Sequence, residues 1–162
     1  MARKVFYSFH FAKDAWRAGQ VRNIGVVEGD QPVSDNDWEA IKKKGDDNIQ
    51  KWINDQIDGK SCVIVLIGAE TASRKWVDYE IRRGWNQKKG VLGIRIHRLQ
   101  DAAGNTSVAG KNPFDAIKME NGSPMSGYVS VYDPAGLTSK DVYKSIQDNL
   151  SDWVEAAIRA RG

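Results

Sequence analysis

Cys62-Val63-Ile64-Val65-Leu66-Ile67 is a run of six apolar residues bounded by Gly59 and Gly68. It is short, rich in β-branched side chains and has no polar face. Such a run reads as a strand covered on both sides, the signature of a buried parallel sheet. Side chains alternate along a strand, so Val63, Val65 and Ile67 are expected on one face and Cys62, Ile64 and Leu66 on the other.

Working outward, Lys4 to Phe9 (KVFYSF) is a second nearly continuous apolar run. Val26 and Val27 suggest a short strand, Val91 to His97 another, and Tyr128 to Tyr132 the last. Between them lie helical patterns. One covers Ala15 to Arg22. Trp38, Ile41, Gly45, Ile49, Trp52, Ile53 and Ile57 recur at spacings of three and four, with a break expected at Gly45. Another helix is expected from about Ser73 to Lys88. Thr138 or Ser139 caps a long final helix whose apolar stripe is Val142, Ile146, Leu150, Trp153, Val154, Ala157 and Ile158.

The Gly-, Pro- and Asp-rich segment Glu28 to Asp37 reads as a loop. So does Arg98 to Met125, with a short helix expected around Phe114 to Met119. Alternating strands and helices predict an α/β fold, a five-stranded parallel sheet with helices on both faces. Ligands bind such sheets beyond the carboxyl ends of the strands, here after Phe9, Val27, Ile67, His97 and Tyr132.

The chain has 162 residues, which suits a single domain over 1–162. Its 24 basic and 21 acidic residues nearly cancel to +3, too weak a field for nucleic-acid binding. The lone cysteine, Cys62, builds neither a disulfide framework nor a zinc site. The absence of a signal sequence or a long apolar stretch predicts a soluble cytoplasmic protein away from membranes. There is no P-loop, no G-x-G-x-x-G, no metal-ligand cluster and no Ser–His–Asp order worth pursuing, which disfavours a P-loop enzyme; no cofactor is expected. Lys42-Lys43-Lys44 reads as a solvated helix face.

Glu80 is the local anomaly. At about 100° per residue from Trp76, Ile81 falls near 140° and Glu80 near 40°, inside the apolar arc. Asp78 and Arg82 occupy the opposite side. Glu80 therefore points toward the sheet or into a cleft at its edge, either as half of an ion pair or as a working carboxylate.

Trp76-Val77-Asp78-Tyr79-Glu80 resembles the W-x-x-x-E signature of TIR domains, whose glutamate is catalytic in the NAD-cleaving members. Val5-Phe6-Tyr7-Ser8-Phe9 resembles the first TIR box, and the element order resembles the flavodoxin-like TIR architecture. The Ser-Phe-His run, Trp-Arg-Ala-Gly-Gln-Val-Arg-Asn and Ser-Arg-Lys-Trp-Val-Asp-Tyr-Glu-Ile resemble the bacterial TIR-like proteins of the Thoeris anti-phage system. That resemblance implies an enzyme with NAD as substrate and Glu80 as catalytic residue. It implies a phage-derived trigger, and a cyclic or conjugated ADP-ribose product that activates a separate effector. Self-association is known among TIR domains. This chain departs from the family in Phe9 and His10 of box one and in the loop from Glu28 to Asp37.

One carboxylate suits this reaction. Most glycosidases need a second carboxyl group to protonate an oxygen leaving group. Nicotinamide leaves NAD neutral, so the task is to stabilise an oxocarbenium-like ribose. Trp76, one turn before Glu80, supplies a candidate apolar wall. Ser8, Phe9 and His10 lie where a ribose or phosphate would pass. Ser8 either caps local backbone or touches ligand, and His10 is either a packed imidazole or a contact. Asp14 is expected to cap the first helix. His97 reads as structural. Two other functions stay open: a non-catalytic TIR interaction module, and a flavodoxin-like nucleoside-binding transferase.

Overall fold

A computed structural model describes residues 3–29, 40–72 and 74–162. The expected loop beyond Gly29, the start of the next helix at Trp38 and the position of Ser73 lie outside the described residues.

The strands are β1 (Val5–Ser8), β2 (Cys62–Ile67), β3 (Gly90–Arg95) and β4 (Val131–Tyr132). All pair in parallel in the order β1-β2-β3-β4. The helices are α1 (Phe11–Arg22), α2 (Asp46–Asp58), α3 (Lys75–Asn86) and α4 (Ser139–Arg161). The apolar run Cys62–Ile67 is central: β2 bonds to β1 on one side and β3 on the other, and all six of its residues are buried.

Its two faces build two cores. Cys62, Ile64 and Leu66 pack with Ala18 and Val21 of α1 and with Val142, Ile146, Leu150 and Val154 of α4. Val63, Val65 and Ile67 pack with Ile49, Ile53 and Ile57 of α2 and with Val77 and Ile81 of α3. Helices therefore cover both faces, as the unbroken apolar run requires.

The sheet has four strands among the described residues, which corrects the expected five. Val26 and Val27 form no strand. The chain leaves α1 at Arg22 and turns through Gly25, whose φ of 81° is in the left-handed region. It then touches the outer edge of β1 through the single parallel bridge Lys4–Glu28. Two backbone bonds of 2.8 Å make that bridge, Val5 N–H to the Glu28 carbonyl and Glu28 N–H to the Arg3 carbonyl.

Gly45, with φ of 93°, separates helical residues 40–43 from α2, the break expected there. The last strand is shorter than expected. A 3-10 turn at Met125–Gly127 draws the Tyr128 and Val129 N–H groups back to the Met125 carbonyl.

The long segment after β3 is pinned rather than loose. Arg17 donates to the Leu99 and Asn105 carbonyls at 2.7 and 2.9 Å, and Arg95 to that of Gly110 at 2.7 Å. Phe114, Ile117 and Met125 are buried in the second core. The expected helix near Phe114 is a turn over 113–116. The Asn112 side chain accepts the Phe114 N–H, and the Ile117 carbonyl accepts the Met125 N–H. Both bonds compete with the helical pattern. No described helix is long and apolar enough to cross a membrane.

Candidate active site

Alternation along β1 sends Val5 and Tyr7 into the α1–α4 core and Phe6 toward α2 and α3. Ser8, the last residue of the strand, shares the face of Phe6 and so meets α3. That helix buries Val77, Glu80, Ile81 and Gly84. Glu80 is 8% exposed and Ser8 1%. The Ser8 hydroxyl donates to Glu80 Oε1 at 2.6 Å. A buried hydrogen bond of this length holds the Glu80 carboxyl group against the end of β1.

Glu80 opens onto a cleft of about 410 Å³ at the carboxyl end of β1. Phe9, His10, Trp76 and Glu80 all line it, with Ser8 behind Glu80. Trp76 is half-buried, meets Tyr79 edge-on at 5.8 Å and carries the Lys75 ammonium 4.8 Å from its ring centre. Phe9 and Phe11 stack with centroids 6.2 Å apart. Aromatic rings from Phe6, Tyr7, Phe9, Phe11, Trp52 and Trp76 thus form much of the wall, a setting in which a planar ring is held.

His10 caps α1. Its Nδ1 accepts from the Lys13 backbone N–H at 3.4 Å, which leaves the proton of a neutral ring on Nε2. Burial, and then the Arg74 charge, hold its pKa below the ordinary histidine value, which favours the neutral ring. The expected cap, Asp14, does something else. It sits in the first turn, 1% exposed, and accepts from Arg17 Nη1 at 3.3 Å. Its Oδ2 is buried without a hydrogen-bond partner among the described residues. Burial pushes its carboxyl pKa up, against the pull of Arg17. His97 is buried away from the cleft, its pKa lowered by burial.

Several lining residues were not singled out in the sequence. Lys42, whose lysine run reads as a solvated face, lines the cleft, and so do Trp52, Arg22, Arg74 and Lys75. Arg74 and Lys75 had a legible signal, since they directly precede Trp76 at the rim. Lys42 and Trp52 had none: both fit an ordinary amphipathic helix.

A parallel α/β sheet, with an aromatic cleft at the end of its first strand and an inward glutamate on the helix after its central strand, defines a TIR-like domain. The sequence model of the family described as "Thoeris protein ThsB, TIR-like domain" matches residues 6–101, and the chain belongs to that family. It is 35% identical over 122 residues to a Bacillus cereus (strain MSX-D12) protein named "Putative cyclic ADP-D-ribose synthase ThsB1". The match covers 72% of this chain and 64% of the relative, so the chain spans a little under two thirds of that protein's length.

Proposed function

We propose that this chain is a TIR-type enzyme that breaks the nicotinamide–ribose bond of NAD and releases a cyclic or conjugated ADP-ribose as a signal in anti-phage defence. NAD is substrate rather than resident cofactor. The name of the Bacillus relative supports cyclic ADP-ribose synthesis as the reaction class. Membership of the Thoeris family supports a phage-derived trigger, a cytoplasmic setting and a separate effector that reads the product.

One observation carries the chemical reading: a nearly buried carboxylate, oriented by Ser8, at an aromatic cleft. In this reading Glu80 faces the ribose and stabilises the positive charge that develops as nicotinamide departs. Nicotinamide leaves as a neutral base and takes no proton. Ser8 holds the carboxylate in place, while Trp76 and Phe9 wall the site and exclude water. His10 offers a neutral ring to a hydroxyl or phosphate at the rim.

The test is nicotinamide release from NAD by the purified protein, with and without lysate of phage-infected cells. Glu80→Gln keeps the shape of the side chain but removes its charge. Loss of such a stabiliser costs on the order of 10²–10³ in rate. The expected variant melts like the parent and, when triggered, releases nicotinamide at least about 100-fold more slowly. A stable, fully active variant removes Glu80 from the mechanism. An unfolded one assigns it to the core, where losing one half of a buried pair is costly.

A further inference from the structure

Among the described residues, cationic side chains outnumber acidic ones in the lining of the cleft. Its lining includes Arg22 from α1, Lys42 from residues 40–43, and Arg74 and Lys75 from the start of α3. Glu80 is the single acidic side chain among the described lining residues. Lys75 is ion-paired with Asp46 of α2. Arg22 lies over the Tyr7 and Phe9 rings at 5.8 and 5.3 Å. Arg74 is different. It is exposed, its backbone is extended at φ −77° and ψ 127°, and its side chain makes no cap to α3.

Arg74 precedes Glu80 by six residues, about 9 Å along the helix axis. Its charge reaches His10, which shares the cleft. Both residues line the one cleft, so a ribose seated at Glu80 has Arg74 within the same cavity as its 5′ substituent. Phosphate oxygens match the planar fork of a guanidinium, which binds them through two parallel bonds. Aromatic walls on the same cleft reduce the screening that weakens an open surface pair.

We infer that Arg74 receives the diphosphate of a dinucleotide whose ribose lies at Glu80, so that it selects diphosphate-bearing ligands over nucleosides. This rests on the nucleotide reading of the cleft and adds to it a specificity-determining residue.

The experiment is calorimetric titration of the full chain, Arg74→Ala and Arg74→Lys with ADP-ribose, AMP and adenosine, beside thermal melts. A charge-assisted bidentate contact predicts that Arg74→Ala weakens ADP-ribose binding about 10- to 100-fold. Adenosine binding should change less than about twofold, with AMP between them, and Arg74→Lys should recover part of the loss. Parent-like ADP-ribose affinity in Arg74→Ala overturns the proposal, as does equal weakening toward adenosine or no binding of ADP-ribose by the parent. Triggered nicotinamide release, measured in parallel, separates the two readings. Arg74-dependent binding without release removes the cleavage reading and keeps this one. Release with an unchanged KM in Arg74→Ala does the reverse.

Discussion

The Ser8 hydroxyl donates to Glu80 Oε1 at 2.6 Å across 72 residues of chain, joining the end of β1 to the middle of α3. The bond is buried, so its loss takes a hydrogen bond from a buried polar group. In the proposed reaction, its place behind the cleft gives Ser8 the role of positioning the carboxylate.

Ser8→Ala should therefore lower triggered nicotinamide release by about tenfold, a smaller loss than Glu80→Gln, through a carboxylate free to turn away. Its stability cost should be about 1–2 kcal/mol, the penalty of one unmet buried bond. Chemical denaturation and a kcat–KM analysis check both numbers. Unchanged kcat would show that Glu80 needs no orientation from β1.

Stability should fall as the pH drops below neutrality. The pKa values of His10 and His97 are both lowered in the folded chain, chiefly by burial. Below the ordinary value of 6.5 the unfolded chain binds protons that the folded chain refuses. Their stabilisation is thus full above 6.5 and declines as pH falls toward the folded values. Each group contributes a slope of at most about 1.4 kcal/mol per pH unit. Asp14 acts oppositely: its raised pKa favours the protonated folded form, so that contribution is lost as pH rises from 3.8 through the folded value. Melting temperatures from pH 7.5 to 5.5 should decline in the parent and decline less in His97→Gln. Equal slopes would clear His97 of the effect.

Leu150→Ala should destabilise the fold by roughly 2–5 kcal/mol, because Leu150 is wholly buried between α4 and the sheet. Trp153 is half-buried and stacks on Tyr132 with centroids 4.4 Å apart. Its replacement by Ala should cost toward the lower end of the range of about 3–5 kcal/mol for large aromatics. Urea denaturation orders the two. A loss below about 1 kcal/mol at Leu150 would mean that α4 packs elsewhere in solution.

Gly90 begins β3 where α4 crosses it. A Cβ at this position would lie 2.9 Å from the Ile158 backbone nitrogen, and a helix backbone has little freedom to yield. Gly90→Ala should cost about 1–3 kcal/mol, the usual penalty of overpacking. The same change at Gly19, where added bulk meets nothing within 4 Å, should not destabilise and serves as the control. Equal melting of the two variants would contradict the close crossing.

Much of this protein was legible in one dimension. Six apolar residues at Cys62–Ile67 imply cover on both faces whatever lies around them, and the structure supplies it. Helical spacing put Glu80 inside an apolar arc, because burial repeats with the turn of the helix. Thr138 caps α4 by accepting the Asp141 N–H at 3.2 Å, a bond set by residue type and local spacing alone. Such features depend on neighbours a few residues away. Tertiary structure decided the rest. Periodicity states which way Ser8 and Glu80 face, but their meeting depends on the register of β1 beside β2 and on where α3 crosses that edge. Arg22, Lys42 and Arg74 come from three separate elements, and each alone reads as surface charge. Among the described residues the expected fifth strand is one bridge, Lys4–Glu28, following a left-handed turn at Gly25 that the residue pattern around Val26 and Val27 does not announce. Sequence records each residue's preference for inside or outside; only the packed sheet and helices determine which distant residue lies opposite.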